Sequence, residues 1–210
     1  HPDTLTSMYH MVRSYWAIGR INEAIPICEE TLRLRKMKLG VDHFETLVTM
    51  TTLGGIYLDV GRQKETLALE EEALKLKKAK LGHDHYELLI NMTHIASAYR
   101  KLGRISDAVP LQEETLELRR AKFGPDHPDT LLDMHNLAAA FKSIGRLTNA
   151  VALFEETLKL RKVKLGPDHP ETLLTMAALA GAYQTVGKMT EALLLSEETL
   201  KLRKAALGPS

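Results

Sequence analysis

A chain of 210 residues with 28 Lys and Arg against 27 Asp and Glu carries a formal charge of +1. That balance gives no reason to expect nucleic acid or an anionic membrane as partner. The single cysteine, Cys28, excludes an intramolecular disulfide framework and points to a reducing, cytoplasmic setting. No apolar run approaches the ~18 residues of a membrane span, and no signal peptide opens the chain.

A histidine returns at His1, His43, His85, His127 and His169, and that constant interval divides the chain into five equal repeats. They are 1–42, 43–84, 85–126, 127–168 and 169–210, a single array with no separate domain. The chain opens inside the motif HPDTL and stops inside LGPS, so it reads as a section of a longer array or a deliberately bounded stretch.

Each repeat predicts two helices. The first starts at HPDTL, where Pro2, Pro128 and Pro170 suit a first helical turn. The acids that follow (Asp3, Glu45, Glu87, Asp129, Glu171) sit where the helix dipole favours negative charge. Leu131, Met134, Leu137, Phe141 and Ile144 then fall at spacings of three and four, one apolar stripe. Gly19, Gly61, Gly103, Gly145 and Gly187 end the first helices. Asn22, Ser106, Thr148 and Thr190 are the expected N-caps of the second helices, and Lys64 predicts the weakest start in repeat 2. Pro26 and Pro110 lie early enough in these helices to remove few backbone bonds.

Along the second helix, Glu155 and Glu156 precede Lys159 on what reads as an exposed face, in the favourable (i, i+4) order. Arg161, Lys162 and Lys164 crowd its C-terminus and complement the dipole. Two such helices cannot bury their apolar faces alone. Stacked copies can, each second helix lying between its own partner and the first helix of the next repeat. The expected fold is all-α, with ten helices.

Leu137-Ala138, Phe141, Gly145 and Ala150 occupy the relative positions of the Leu-Gly, Tyr, Gly and Ala signature, so the unit resembles the tetratricopeptide repeat. That repeat has about 34 residues, and EETLKLRKVKLG accounts for the longer unit here by extending the second helix. The long form is similar to kinesin light chain repeats and to repeat arrays of bacterial signalling proteins. The resemblance implies a right-handed α-solenoid, a superhelix whose concave wall of first helices binds an extended peptide. It also implies no enzymatic activity and no cofactor.

Under that resemblance, the residues that vary most between copies on one face of the first helices line the groove. They are Tyr9, His10, Arg13 and Trp16 in repeat 1, then Thr51, Thr52 and Leu58 in repeat 2. Repeat 3 adds Thr93, His94, Ser97, Arg100 and Lys101; repeat 4 adds His135, Asn136 and Lys142; repeat 5 adds Gln184. Arg13, Arg100, Lys101 and Lys142 against one acid, Asp59, predict an acidic extended peptide, anchored by an aromatic or aliphatic group near Trp16 and Leu58.

Other signals read as structural. The histidine series stands about one helix pair apart, too far for one metal ion, and a cap or loop role is expected; His83-Asp84-His85 is a weak local cluster. The repeated Glu-Glu pairs lack a nucleophile and read as solubilising, and no Cys-His, Ser-His-Asp or phosphate-loop pattern nominates an active site. Gly54-Gly55 falls in mid-helix, where small residues permit close packing. The basic ends of the second helices are interleaved with acids, which disfavours nucleic acid. The last second helix exposes Leu193, Leu200 and Leu207, which gives a second expectation of end-to-end self-association.

Overall fold

The backbone follows the two-helix unit. A computed structural model describes residues 2–81 and 86–207, and among these residues there are ten helices and no strand. They are α1 (Pro2–Ala17), α2 (Ile21–Leu39), α3 (Phe44–Asp59), α4 (Gln63–Leu81) and α5 (Tyr86–Lys101), followed by α6 (Ile105–Phe123), α7 (Pro128–Ser143), α8 (Leu147–Lys164), α9 (Pro170–Thr185) and α10 (Met189–Leu207). The chain divides into two compact units, His1–Ala108 and Val109–Ser210. In the first, α1 packs on α2, α2 on α3, α3 on α4, α4 on α5, and α3 touches α5. In the second, α7, α8, α9 and α10 pack in succession and α7 touches α9. This is the all-α solenoid pattern: α2, α4 and α8 each lie between two first helices.

Local signals set the helix ends. His43, His127 and His169 are N-caps whose side chains accept the backbone N–H two residues on, from Glu45, Asp129 and Glu171 at 3.2–3.3 Å. The histidine series therefore acts as caps where it is described; His1 and the cluster His83-Asp84-His85 lie outside the described residues. At the far end Gly19 has φ +75°, Gly19 N–H bonds Trp16 C=O, and Arg20 N–H reaches back to Tyr15 C=O at 2.9 Å.

That turn corrects the expected N-caps. The second helices start at Ile21, Ile105, Leu147 and Met189, so Asn22, Ser106, Thr148 and Thr190 are second residues inside them. The capping position of α2 is Arg20, which already closes α1, and it makes no side-chain cap bond. One residue serves both helices, and no separate capping residue fits between them. The Arg20 guanidinium instead lies 4.8 Å from the Tyr15 ring centroid and bonds Glu23 at 2.8 Å. Arg62 repeats this over Tyr57 with Glu65, and Arg104 over Tyr99 with Asp107. Repeat 2 is built like its neighbours, so Lys64 does not mark a weaker start.

The core keeps most of the predicted stripe: Leu131, Met134, Leu137 and Phe141 are buried, whereas Ile144 is only half-buried and its equivalents Ile18, Val60, Leu102 and Val186 are exposed. Val12, Leu47, Met50, Leu53 and Ile56 are buried in the first unit; Phe154, Leu173, Met176 and Leu179 in the second. Each such side chain contributes roughly 1.5–3 kcal/mol of burial. The Glu-Glu pairs are largely exposed, as expected, and they also bond neighbouring repeats. Glu155 accepts from Tyr183 Oη at 2.7 Å and Glu156 pairs with Arg120 at 2.9 Å. Tyr57–Glu29 and Tyr99–Glu71 repeat the first contact; Lys36–Glu72 and Lys162–Glu198 repeat the second. The first contact forms because Glu29, Glu71 and Glu155 face the tyrosine of the next first helix; for repeat 3 that place holds Phe141, and Glu113 pairs with Arg146 instead.

Candidate functional site

A polar layer runs inside each unit. Arg35, Lys77, Arg119 and Arg161 hold one position in successive second helices and are all buried, between 0 and 6 % exposed. Arg161 is therefore not the dipole-complementing surface residue its sequence position suggested. It donates to the Glu171 carbonyl at 2.9 Å and to Thr175 Oγ1 at 2.7 Å, and pairs with the Glu171 carboxylate at 3.0 Å. Arg35 makes the same contacts to Glu45 and Thr49. Arg119 pairs with buried Asp133 at 2.9 Å, and burial pushes the Asp133 carboxyl up to about 6 against the pull of Arg119. Burial likewise lowers the Arg161 guanidinium from its ordinary range. The signal was available: Ala24, Cys28, Thr31 and Arg35 follow the three-and-four spacing of one inward face.

In the first unit the layer extends to the candidate wall. Lys77 donates to Asn91 Oδ1 and Thr51 Oγ1, each at 2.8 Å. The Asn91 amide donates to Glu70, and the other Glu70 oxygen lies 2.5 Å from His94 Nδ1. Glu70 is fully buried, and that burial raises its carboxyl above the ordinary range although His94 and Lys77 oppose the shift. Gly54 makes the space: a Cβ there would stand 2.8 Å from the Glu70 carboxyl carbon. Gly55 does the same at the surface, since a Cβ there would meet the Trp16 ring at 3.0 Å and the His94 imidazole at 3.2 Å.

The residues predicted to line the first unit's wall divide into three groups. Tyr9 and Thr52 bond each other across α1 and α3 at 3.0 Å, Trp16 Nε1 donates to Asp59 at 2.8 Å, and Lys101 Nζ donates to the Leu58 carbonyl at 2.7 Å. Thr51 and Leu58 are buried, so Leu58 offers no exposed anchor beside the half-buried Trp16. His10 and Arg13 are exposed; Thr93, His94, Ser97 and Arg100 are half-buried. Trp16 and His94, from α1 and α5, each lie against Gly55 of α3.

In the second unit, His135 stands edge-on to the Phe154 ring at 5.4 Å and lies 3.3 Å from Thr175 Oγ1. Asn136 and Lys142 are half-buried, and Lys142 Nζ comes within 3.0 Å of where a Cβ on Gly181 would stand. Gln184 borders a depression of about 310 Å³ floored by Ala177, Ala180 and Gly181 and rimmed by Arg203. A larger hollow of about 550 Å³ lies among Leu158, Leu179, Tyr183 and Leu195, with Lys159, Lys162, Glu191 and Glu198 at its rim. No group of three or more His, Cys, Asp or Glu among the described residues is placed to hold a metal ion. No helix among them is long and apolar enough to cross a membrane.

Stacked helical hairpins with a side-chain-lined wall of first helices define a helical-repeat protein. The tetratricopeptide repeat profile matches residues 3–79, 86–162 and 143–205, and the chain belongs to the tetratricopeptide repeat family. That fold commonly mediates protein–protein interaction and is generally non-enzymatic. The chain is similar to the crystal structure of a putative kinesin light chain with nearly identical TPR-like repeats from Podosopora anserina, at 27 % identity over 98 % of each chain and a TM-score of 0.85. It shares the fold of BtubC (BKLC) from P. vanneervenii, at 18 % identity over 97 % of this chain and 81 % of that one, TM-score 0.83. It also shares the fold of MamA from Desulfovibrio magneticus RS-1, at 12 % identity over 97 % of each, TM-score 0.75. No curated protein sequence matches significantly.

Proposed function

We propose that the chain is a cytoplasmic, non-enzymatic scaffold that binds an extended acidic peptide segment along the first helices. The observation that carries this reading is a contrast between two sets of cations. Of those at the ends of the second helices, Lys36 pairs with Glu72, Lys80 with Asp42, Arg120 with Glu156 and Lys164 with Asp126, while Lys38 and Lys204 make no ion pair among the described residues. Arg13, Arg100 and Lys142 on the first helices make no ion pair among the described residues, and Asp59 is committed to the Trp16 indole. The paired set offers little to a phosphate backbone, whereas the unpaired set complements carboxylates.

Trp16 is the chain's one tryptophan and reports on this wall by its fluorescence. A fluorescein-labelled oligoglutamate peptide should bind in 50 mM salt, perturb Trp16 emission, and weaken as salt rises. The charge reversals Arg100→Glu and Lys142→Glu together should abolish that binding. Unchanged affinity in the double variant would sink the acidic-peptide reading. A steep salt slope with random single-stranded RNA and none with the peptide would replace it by a nucleic-acid reading.

A second reading, self-association, is favoured by α10. On α8, Val151, Phe154, Leu158 and Arg161 are buried. The equivalent Leu193 and Leu200 of α10 are 60 % and 54 % exposed, and Ser196 and Arg203 are exposed with them. A first helix from a second copy would find on α10 the surface that α9 finds on α8. Sedimentation at rising concentration should show association that Leu200→Glu removes; a monomer at every concentration refutes it.

A further inference from the structure

Two polar contacts recur at the junctions between repeats, and each is left half-made on α1 and on α10. In the first, the buried base of a second helix reaches the next first helix, as Arg35 reaches Thr49 and Arg161 reaches Thr175. On α10 that base is Arg203, exposed and without a hydrogen bond or ion pair among the described residues; on α1 the acceptor is exposed Ser7. In the second contact a tyrosine donates to the acid of the preceding repeat, as Tyr183 does to Glu155. On α1 the tyrosine is Tyr15, and on α10 the acid is exposed Glu197. We propose that α1 of a second copy docks on α10 in the register of the internal junctions, with Arg203 of one copy donating to Ser7 of the other. The proposal rests on the self-association reading and names the partner surface and the residues that set its register.

The apolar surfaces agree with that pairing. Met11 of α1 is 43 % exposed, whereas Leu53, Ile95, Leu137 and Leu179, which hold its place in the other first helices, are 2–3 % exposed. Met8 is half-buried where Met50, Met92, Met134 and Met176 are fully buried. One repeat before the end, Phe154 and Leu158 of α8 share a buried cluster with Met176 and Leu179 of α9. The matching place on α10 is open: the depression of about 310 Å³ bordered by Ser196, Leu200 and Arg203. Met8 and Met11 of a second copy bring the side chains that fill it, at the positions of Met176 and Leu179.

Ser7 is already arranged to receive Arg203. Its Oγ donates to the Asp3 carbonyl at 2.9 Å, as Thr49 Oγ1 does to Glu45 at 2.7 Å and Thr175 Oγ1 to Glu171 at 3.0 Å. A hydroxyl whose hydrogen is so committed turns its lone pairs to an incoming guanidinium. Tyr15 is likewise set: Arg20 lies over its ring as Arg62 lies over Tyr57, yet Tyr15 Oη makes no hydrogen bond among the described residues. The contact joins unlike faces, so a pair of copies still presents one α1 and one α10, and association continues past two.

Sedimentation equilibrium tests it. The weight-average mass of the wild type should rise past that of a dimer with concentration. Leu200→Glu disables the α10 face and Met11→Glu the α1 face, so each variant alone should stay monomeric. Their equimolar mixture should form a one-to-one complex and stop there, because a single α1–α10 pairing remains. Ser7→Asp offers Arg203 the acid that Asp133 offers Arg119, and should tighten association about fivefold, a gain lost in Arg203→Gln. A Met11→Glu chain that still dimerises, or a mixture that stays monomeric while the wild type associates, overturns the α1–α10 contact and leaves self-association standing. No gain from Ser7→Asp, or an equal gain with Arg203→Gln, overturns the register. A wild type that is monomeric at every concentration overturns both. All four substituted positions are exposed in the single chain, so the variants leave its internal packing in place.

Discussion

Glu70 fills the space that Gly54 leaves, with its carboxyl carbon 2.8 Å from where a Cβ on Gly54 would stand. The two positions form one packing choice, and other repeats make it differently, with Val12 opposite Cys28 and Ala138 opposite Phe154. Gly54→Ala gains roughly 1 kcal/mol of helix propensity but overpacks a carboxylate pinned by Asn91 and His94. A net loss of about 1–2 kcal/mol is expected from urea unfolding. Gly54→Ala combined with Glu70→Ala should cost less than the two single changes summed. A Gly54→Ala protein as stable as the parent would show that the carboxylate is not confined.

Asp133 gives a pH dependence of unusual sign. Its carboxyl is raised to about 6 by burial, above its value in the unfolded chain, so between about pH 4 and pH 6 the folded state binds more protons. Its stabilising effect is complete below the unfolded value and is lost as pH rises through 6. Relative to Asp133→Asn, the wild type should lose on the order of 3 kcal/mol between pH 4 and pH 7. Parallel urea midpoints for the two proteins across that range would contradict it.

Arg161 joins α8 to α9 through the Glu171 carbonyl, Thr175 Oγ1 and the Glu171 carboxylate. Arg161→Ala leaves the Glu171 carbonyl and Thr175 Oγ1 without this donor and empties a fully buried volume, a loss of about 3–4 kcal/mol. Lys162→Ala, one residue on, removes a part-exposed pair with Glu198 and should cost under about 1 kcal/mol. Equal melting temperatures for the two variants would mean that the buried layer adds nothing to stability.

Cys28 is fully buried and its thiol is pushed up to about 12, chiefly by burial. The thiolate is the reactive form, so the folded chain should react with an aromatic disulfide reagent at pH 8 only through opening of the first unit. The rate should rise with sub-denaturing urea. Labelling as fast as that of free cysteine would show that the burial is not maintained in solution.

The sequence by itself determined the repeat, the helix pairs, the histidine caps and the apolar stripe. Each is a local property: a periodicity, a residue that caps its own backbone, a glycine at positive φ. It also placed most of the candidate wall on one helical face, because residues three and four apart must share one. What it did not settle was the fate of charge. Arg161 and Glu155 look like ordinary surface residues within their own helix, and only the neighbouring repeat shows that one is buried and the other bonds Tyr183. Glu70 and His94 are 24 positions apart and belong to different repeats. The tertiary structure decided their contact, because the cost of burying a carboxylate depends on what two other helices, α3 and α5, bring against it.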